Sequence, residues 1–516
     1  MPNKDELLRA LQLGGIVAEH DNLLSECFVR HPVLTELTND QKDLILGAKG
    51  AGKSALWKEI RDSKHKYETI SNVELQLVTN PAGDPEFRDI LVAIGNDEFP
   101  DVDELRVAWR LYLLAQFWRG ARELINPDLR QQIGTEIDRY GIIPKKESGL
   151  KAAFAFAVAK ARALKQLKVS WTSGVALEFD EDQLKAGGSA AAIPFNDMIA
   201  AINESLSTVD RRIWLILDRL DEIILGDEAR ENQVLKGLLL AYRDMSDFPC
   251  ARLKVFLRDD VYQRVTSIGH FPALTHVRSK AAGPIRWELE DLLLLVVRRF
   301  VANKPIVEFL GLDADSKLTP ELRRKIFYSL FPAKVDKGRA AETFKWIVDR
   351  ITDGNGVATP RDLLSVIDAA RIFQLEQMQR EGRDLPGTQL FAEDALRRAV
   401  RKVAKDNLET RIFAEYPDLR EPIEAFRGGK ADHNDETLRH LLGSRADDIV
   451  RRLERVGFLF RRSRDGAQMW TVPFFYSFAL DMTRGASFDL AVPAEGHEEV
   501  NLREDNLAAH PDSDQR

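Results

Sequence analysis

Eight consecutive residues constrain this chain more than any others: Gly47-Ala48-Lys49-Gly50-Ala51-Gly52-Lys53-Ser54 fits G-x-x-x-x-G-K-[ST]. The run Asp43-Leu44-Ile45-Leu46 stops at Gly47 and reads as a buried strand, and Ser54 to Ile60 reads as a helix. In that setting glycines let the backbone turn tightly enough for consecutive N–H groups to point inward at phosphate oxygens. The positive end of the helix dipole adds to the same field. Lys53 is expected to reach the β and γ phosphates and Ser54 to offer its hydroxyl to Mg²⁺, which makes ATP and Mg²⁺ the expected ligands. A guanine-reading Asn-Lys-x-Asp pattern is absent, since Asn303-Lys304-Pro305 is followed by Ile306.

A phosphate loop needs a carboxylate at the end of a neighbouring strand. Ile213-Trp214-Leu215-Ile216-Leu217 is five apolar residues followed by Asp218, Arg219, Leu220, Asp221 and Glu222. Asp218 is placed to hold Mg²⁺ through water, and Asp221 or Glu222 to orient the attacking water as base, with Glu222 the favoured candidate. The next apolar run, Leu253 to Leu257, closes on Arg258. An arginine at that edge of a parallel sheet faces the ligand crevice and can read the γ-phosphate; a salt bridge to Asp259, Asp260 or the acidic loop is the equally weighted alternative. Arg361, in Thr359-Pro360-Arg361-Asp362, opens a helix and either reaches the nucleotide from a lid or takes part in capping chemistry with Asp362.

The expected fold is therefore α/β, a P-loop NTPase core with a parallel sheet, joined to a long mostly helical insertion, a helical lid and a C-terminal winged-helix-like domain. The expected boundaries are an N-terminal arm at 1–40, a core at 41–60 and 193–290, an insertion at 61–192, a lid at 291–385, a winged-helix-like unit at 386–485 and a flexible tail at 486–516. In the insertion, Asp101 with Glu104 marks a helix start, with Leu105, Trp109, Leu113 and Phe117 on one face. The Ala-rich stretch after Leu150 reads as helix and Lys168 to Phe179 as a strand or hairpin arm.

Near the C-terminus, Ser444 is the expected cap of a helix through Ile449, Leu453 and Val456 that Gly457 ends. Asp465-Gly466 between two strand-like runs signals a hairpin. Arg451, Arg452, Arg455, Arg461, Arg462 and Arg464 make this stretch locally basic and are candidate DNA contacts. Asp447, Asp448, Glu454 and Asp465 are interleaved, the pattern of an ordinary solvated face.

Across the chain, 74 Lys and Arg face 82 Asp and Glu, so the net charge of −8 argues against a general nucleic-acid coat. Cys27 and Cys250 are too few and too far apart for a disulfide framework or a zinc knuckle. No signal-peptide core or membrane-spanning run is legible, and the expected location is cytoplasmic, with no membrane partner. No Gly-x-Ser-x-Gly is present, and His497-Glu498 lacks the second His of a zincin.

These residues resemble a known group. Glu26-Cys27-Phe28-Val29 ahead of the loop, LILGAKGAGKSAL, WLILDRLDEI, VFLRDDVY, Ile285-Arg286-Trp287 and Thr359-Pro360-Arg361-Asp362 are similar, in this order, to the bacterial P-loop ATPases of the STAND and KAP-like branch of the AAA-related superfamily. The acidic pair after a two-residue gap from Asp218 resembles the STAND pattern. Arg219, where AAA enzymes carry the Glu, departs from an ordinary AAA motor. The resemblance implies a slow ATPase that acts as a homo-oligomeric switch or scaffold for a separate effector protein, often in antiviral defence. Arg258 and Arg361 would then correspond to the two nucleotide sensors. A DNA-binding loader or regulator using the winged helix is the alternative.

Overall fold

The computed structural model describes residues 3–79, 99–139, 195–218, 220, 228–267, 271, 274–313, 316–337, 341–382, 384–464 and 467–487. The chain forms two compact units, Val17–Arg286 and a second made of Met1–Ile16 with Trp287–Arg516.

The first unit is built on a parallel sheet of β1 (Leu44–Leu46), β2 (Val73–Thr79), β3 (Arg212–Asp218) and β4 (Ala251–Leu257), in the order β1-β4-β3-β2. Both β1 and β3 are apolar on successive residues because helices cover both faces of a parallel sheet. The far side of β1 is lined by an irregular fifth segment: Ala282 and Ile285 donate their N–H groups to the carbonyls of Leu44 and Leu46, both at 2.8 Å. The short β1 is thus paired on both sides, which fixes the point where the chain leaves the sheet at Gly47.

Helix α1 (Lys53–Asp62) follows β1. Residues 61–192, expected as a mostly helical insertion in the core, also supply β2 to the core sheet, where it pairs with β3 from Val73↔Arg212 to Thr79↔Asp218. Its signal is the alternation in Val73-Glu74-Leu75-Gln76-Leu77, the pattern of a strand at a sheet edge. Helix α2 (Val102–Ala121) starts with the expected Asp101–Glu104 capping box. It is not one-faced, however: every residue from 107 to 118 is buried, because α3 (Phe195–Thr208), α4 (Glu228–Asp244) and β3 all pack on it. Helix α4 crosses it closely at Gly237, where a Cβ would lie 2.8 Å from that of Leu105. Helix α5 (Asp259–Ser267) follows β4. The readings for 150–179 lie outside the described residues.

Midway along β4, and beside the residues that lead into β1, Lys254 is fully buried. Its ammonium donates to the carboxylates of Asp40 and Asp43 and to the Lys42 carbonyl, and it sits 4.3 Å from the Trp214 ring. The second Asp43 oxygen accepts the Tyr242 hydroxyl at 2.7 Å. Burial, then the Asp43 charge, drives that phenol's pKa far upward, so it stays a donor.

The second unit opens with helices α6 (Leu289–Val301), α7 (Pro320–Leu330), α8 (Thr343–Ile351), α9 (Pro360–Glu381) and α10 (Glu393–Asn407). Their core is aromatic: Phe331 stacks between Phe327 and Phe391 at 4.2 and 4.3 Å. The first residues of the chain, expected as one arm to residue 40, divide at residue 16. Helix Lys4–Ala10 packs on α9, and Lys4 donates to the Leu385 carbonyl at 2.6 Å.

A small sheet follows, β5 (Lys430–His433), β6 (Phe460–Arg464), β7 (Ala467–Thr471) and β8 (Thr483–Ser487), in the order β6-β7-β5-β8. It is joined by α11 (Asp435–Leu442), α12 (Ala446–Arg455) and α13 (Phe474–Ala479). The expected helix and hairpin are present, with Arg464 paired to Ala467 across a two-residue connection. Ser444 is not the cap. Residues Gly443–Arg445 form a 3₁₀ turn, α12 starts at Ala446, and no side chain caps it. Gly457 does end it, with φ of 74°. Its carbonyl accepts the Gly354 N–H at 2.7 Å, and a Cβ on Gly354 would stand 2.7 Å from that oxygen, so the loop before α9 lies directly on the turn after α12.

His433 of β5 is buried beside Phe426, with ring centroids 5.1 Å apart. Burial lowers its pKa below 6.5, against the Lys430 backbone and the Asp432 charge. The unfolded chain therefore binds the proton more readily, so the stabilisation is full above 6.5 and is lost as pH falls. The expected result is a falling urea midpoint for the second unit below pH 6.5, a slope that His433→Phe flattens. No described helix is long and apolar enough to cross a membrane.

Candidate nucleotide site

The loop from Gly47 to Gly52 turns from β1 into α1 with Gly50 at φ 84° and Gly52 at φ 102°, left-handed values that glycine adopts without strain. Gly52 is the N-cap of α1, and no side chain caps the helix there. Gly47 is close-packed as well: a Cβ there would lie 3.3 Å from that of Ile285. The Lys53 ammonium folds back over the loop and donates to the carbonyls of Gly47 and Ala48 at 2.7 and 3.1 Å.

Asp218, the last residue of β3, is buried, and the Ser54 hydroxyl donates to its Oδ2 at 3.0 Å. The two sequence features, 164 residues apart, thus meet at one point. A hydroxyl and a carboxylate in contact at a helix N-terminus match the hard oxygen ligands that Mg²⁺ takes, one or two from protein and the rest from water and phosphate. Asp221 and Glu222 lie outside the described residues, while Leu220 beside them is buried.

Arg258 leaves β4 next to this loop, because the Gly47 N–H donates to the Leu257 carbonyl at 3.3 Å. The salt-bridge alternative is realised: Nε and Nη2 donate to the two oxygens of Asp260 at 3.0 and 2.8 Å. The neighbouring Asp259 lies 3.8 Å from Arg286, which follows the fifth segment of the sheet. Asp260 is the side chain that sequence reading did not single out as functional. Its signal is the Arg-Asp-Asp that closes β4.

The core has the P-loop NTPase fold. No family model matches the chain, and no curated protein does. Among solved structures, it is similar to the Aeropyrum pernix ORC2 protein in its ADPNP–ADP complexes, at 13% identity and a TM-score of 0.38, over 89% of this chain and 96% of that one. A Walker-type ATPase of Pyrococcus abyssi follows at 11% and 0.36, over 89% and 95%. The Aeropyrum pernix ORC1 protein in complex with DNA gives 12% and 0.28, over 93% and 92%. Scores of this size mark a loose superposition, so the chain's own strand order and loop geometry define the fold.

Arg361 stands in the first turn of α9 in the second unit. Thr359 caps that helix, and Asp362 accepts from Thr359 Oγ1 at 2.7 Å and Asn407 Nδ2 at 3.0 Å, so the capping chemistry runs through Asp362 and Thr359. The C-terminal arginines are mostly paired. Arg461 forms a two-point contact with Glu454 at 2.6 and 3.0 Å, Arg462 meets Asp432 at 3.0 Å, Arg451 lies 3.5 Å from Asp448, and Arg452 contacts Asp418. Arg455 is exposed, and the Arg464 side chain lies outside the described residues. Carboxylates from the same stretch, Glu454 and Asp448, and from elsewhere in the unit, Asp432 and Asp418, thus balance much of the local positive charge that the sequence suggested.

Proposed function

We propose that this protein binds and slowly hydrolyses ATP at the Gly47–Ser54 loop, using the nucleotide state as a switch. The observation that carries the reading is the Ser54–Asp218 contact at 3.0 Å, which unites a phosphate loop with the carboxylate of a neighbouring strand. Lys53 and the N–H groups at the start of α1 bind the β and γ phosphates, and Ser54 with Asp218 holds Mg²⁺ directly or through water. The ion, when bound, neutralises charge on the β and γ oxygens. Glu222, or Asp221 beside it, takes the proton of the attacking water, and Arg258 reads the γ-phosphate.

No second reactive motif accompanies this site in the sequence, which favours a switch acting through other proteins. A homo-oligomer that controls a separate effector, in a bacterial defence setting, is the form of this reading that the sequence resemblance suggests, and the same resemblance makes Arg361 a nucleotide sensor. The test is phosphate release with Mg²⁺ by the wild type, Asp218→Asn and Glu222→Gln. The expected outcome is turnover lowered at least about 100-fold in both variants, with Glu222→Gln still retaining ATP. Tight ATP binding without any phosphate release by the wild type would remove hydrolysis from the reading.

A further inference from the structure

Arg258 directly follows β4, and β4 lies between β1, which feeds the phosphate loop, and β3, which ends in Asp218. An arginine here must be held still to be useful, since a long side chain otherwise samples many rotamers. Arg258 is 8% exposed as a residue, and its guanidinium meets Asp260, the second residue of α5, fork on fork through Nε–Oδ1 and Nη2–Oδ2. A two-point contact sets the plane of the guanidinium as well as its position, which a single hydrogen bond does not. It also places the counter-charge on the Nε–Nη2 edge and turns the Nη1 corner away from Asp260. The carboxylate is itself fixed by its place in the first turn of α5, where negative charge is favoured.

We propose that Asp260 is the positioning residue of this site: it holds the Arg258 guanidinium in the orientation that distinguishes a nucleoside triphosphate from a diphosphate. The proposal rests on the reading of Arg258 as the residue that meets the γ-phosphate. If Asp260 served only the dipole of α5, its replacement would lower thermal stability and leave nucleotide preference alone.

The experiment uses the full chain with Mg²⁺ and compares the affinities of ADP and a slowly hydrolysed ATP analogue. Asp260→Asn is expected to cut the triphosphate preference about tenfold, the same loss as Arg258→Ala, with ADP affinity within about twofold of wild type. Adding Asp260→Asn to Arg258→Ala should produce no further loss, because the carboxylate acts only through the guanidinium. Should Asp260→Asn fail to fold, Arg258→Lys carries the same test, since an ammonium cannot be held at two points in a plane. An unchanged preference in Asp260→Asn, or in Arg258→Lys, overturns the proposal while leaving nucleotide binding in place. Absence of any Lys53-dependent nucleotide binding removes the reading beneath it and the proposal together.

Discussion

Lys53→Ala is expected to abolish measurable ATP turnover, with a loss of at least about 100-fold and nucleotide affinity falling by about tenfold or more. The ammonium is the charged donor that the sequence and fold bring over the loop, and its present partners are the carbonyls of Gly47 and Ala48. Exchanging those carbonyls for anionic phosphate oxygens sets a full negative charge, in place of a carbonyl dipole, against the ammonium and so strengthens the contact. Stability should change little, by about 1 kcal/mol, because Lys53 is half-buried and water can satisfy the two carbonyls in its absence. Steady-state phosphate release, nucleotide titration and a melting curve on the same preparation check all three statements. Turnover within fivefold of wild type would count decisively against the proposed site.

The largest stability effect should come from the buried ion pair that joins the start of β1 to the middle of β4. Asp43→Ala removes one of the two carboxylates that neutralise the buried Lys254 and takes away the acceptor of the Tyr242 hydroxyl. Two polar groups are left short of a partner where water does not reach, and breaking a buried pair in this way costs about 3–5 kcal/mol. The urea midpoint followed by tryptophan fluorescence should fall accordingly. Replacing the partners together, Asp43→Asn with Lys254→Met, should recover part of the loss, since an apolar chain has no charge to desolvate. A double variant no better than Asp43→Ala would mean that the pair is attractive beyond its desolvation cost.

The phosphate loop, Asp218 and the strands around them were legible because each is written locally: an apolar run, a glycine pattern, a carboxylate at a strand end. Residues 73–79 were not, since the strand that closes one edge of the sheet is separated by more than 130 residues from the strand it pairs with, and its alternation is short. Helix α2 was half legible. Its start is fixed by the local Asp101–Glu104 box, but its burial on all sides depends on α3, α4 and β3, which no local pattern announces. Ser444 failed as a cap for a related reason: the 3₁₀ turn Gly443–Arg445 moves the start of α12 beyond it. The six C-terminal arginines gave a correct count of charge. Whether Asp432, Glu454 and Asp418 pair with them is decided by the tertiary fold.

The Ser54–Asp218 hydrogen bond has a kinetic side as well. It closes a loop of 164 residues, an entropic cost of about 4–5 kcal/mol before any constant is added. Contacts of such range form late and slowly, so the parallel sheet must assemble before the two halves of the site can meet. A nucleotide that recognises the joined halves binds only the finished core and draws the folding equilibrium toward it by mass action. In a cell rich in nucleotide, a ligand of this site would thus act as a stabiliser of the newly made chain.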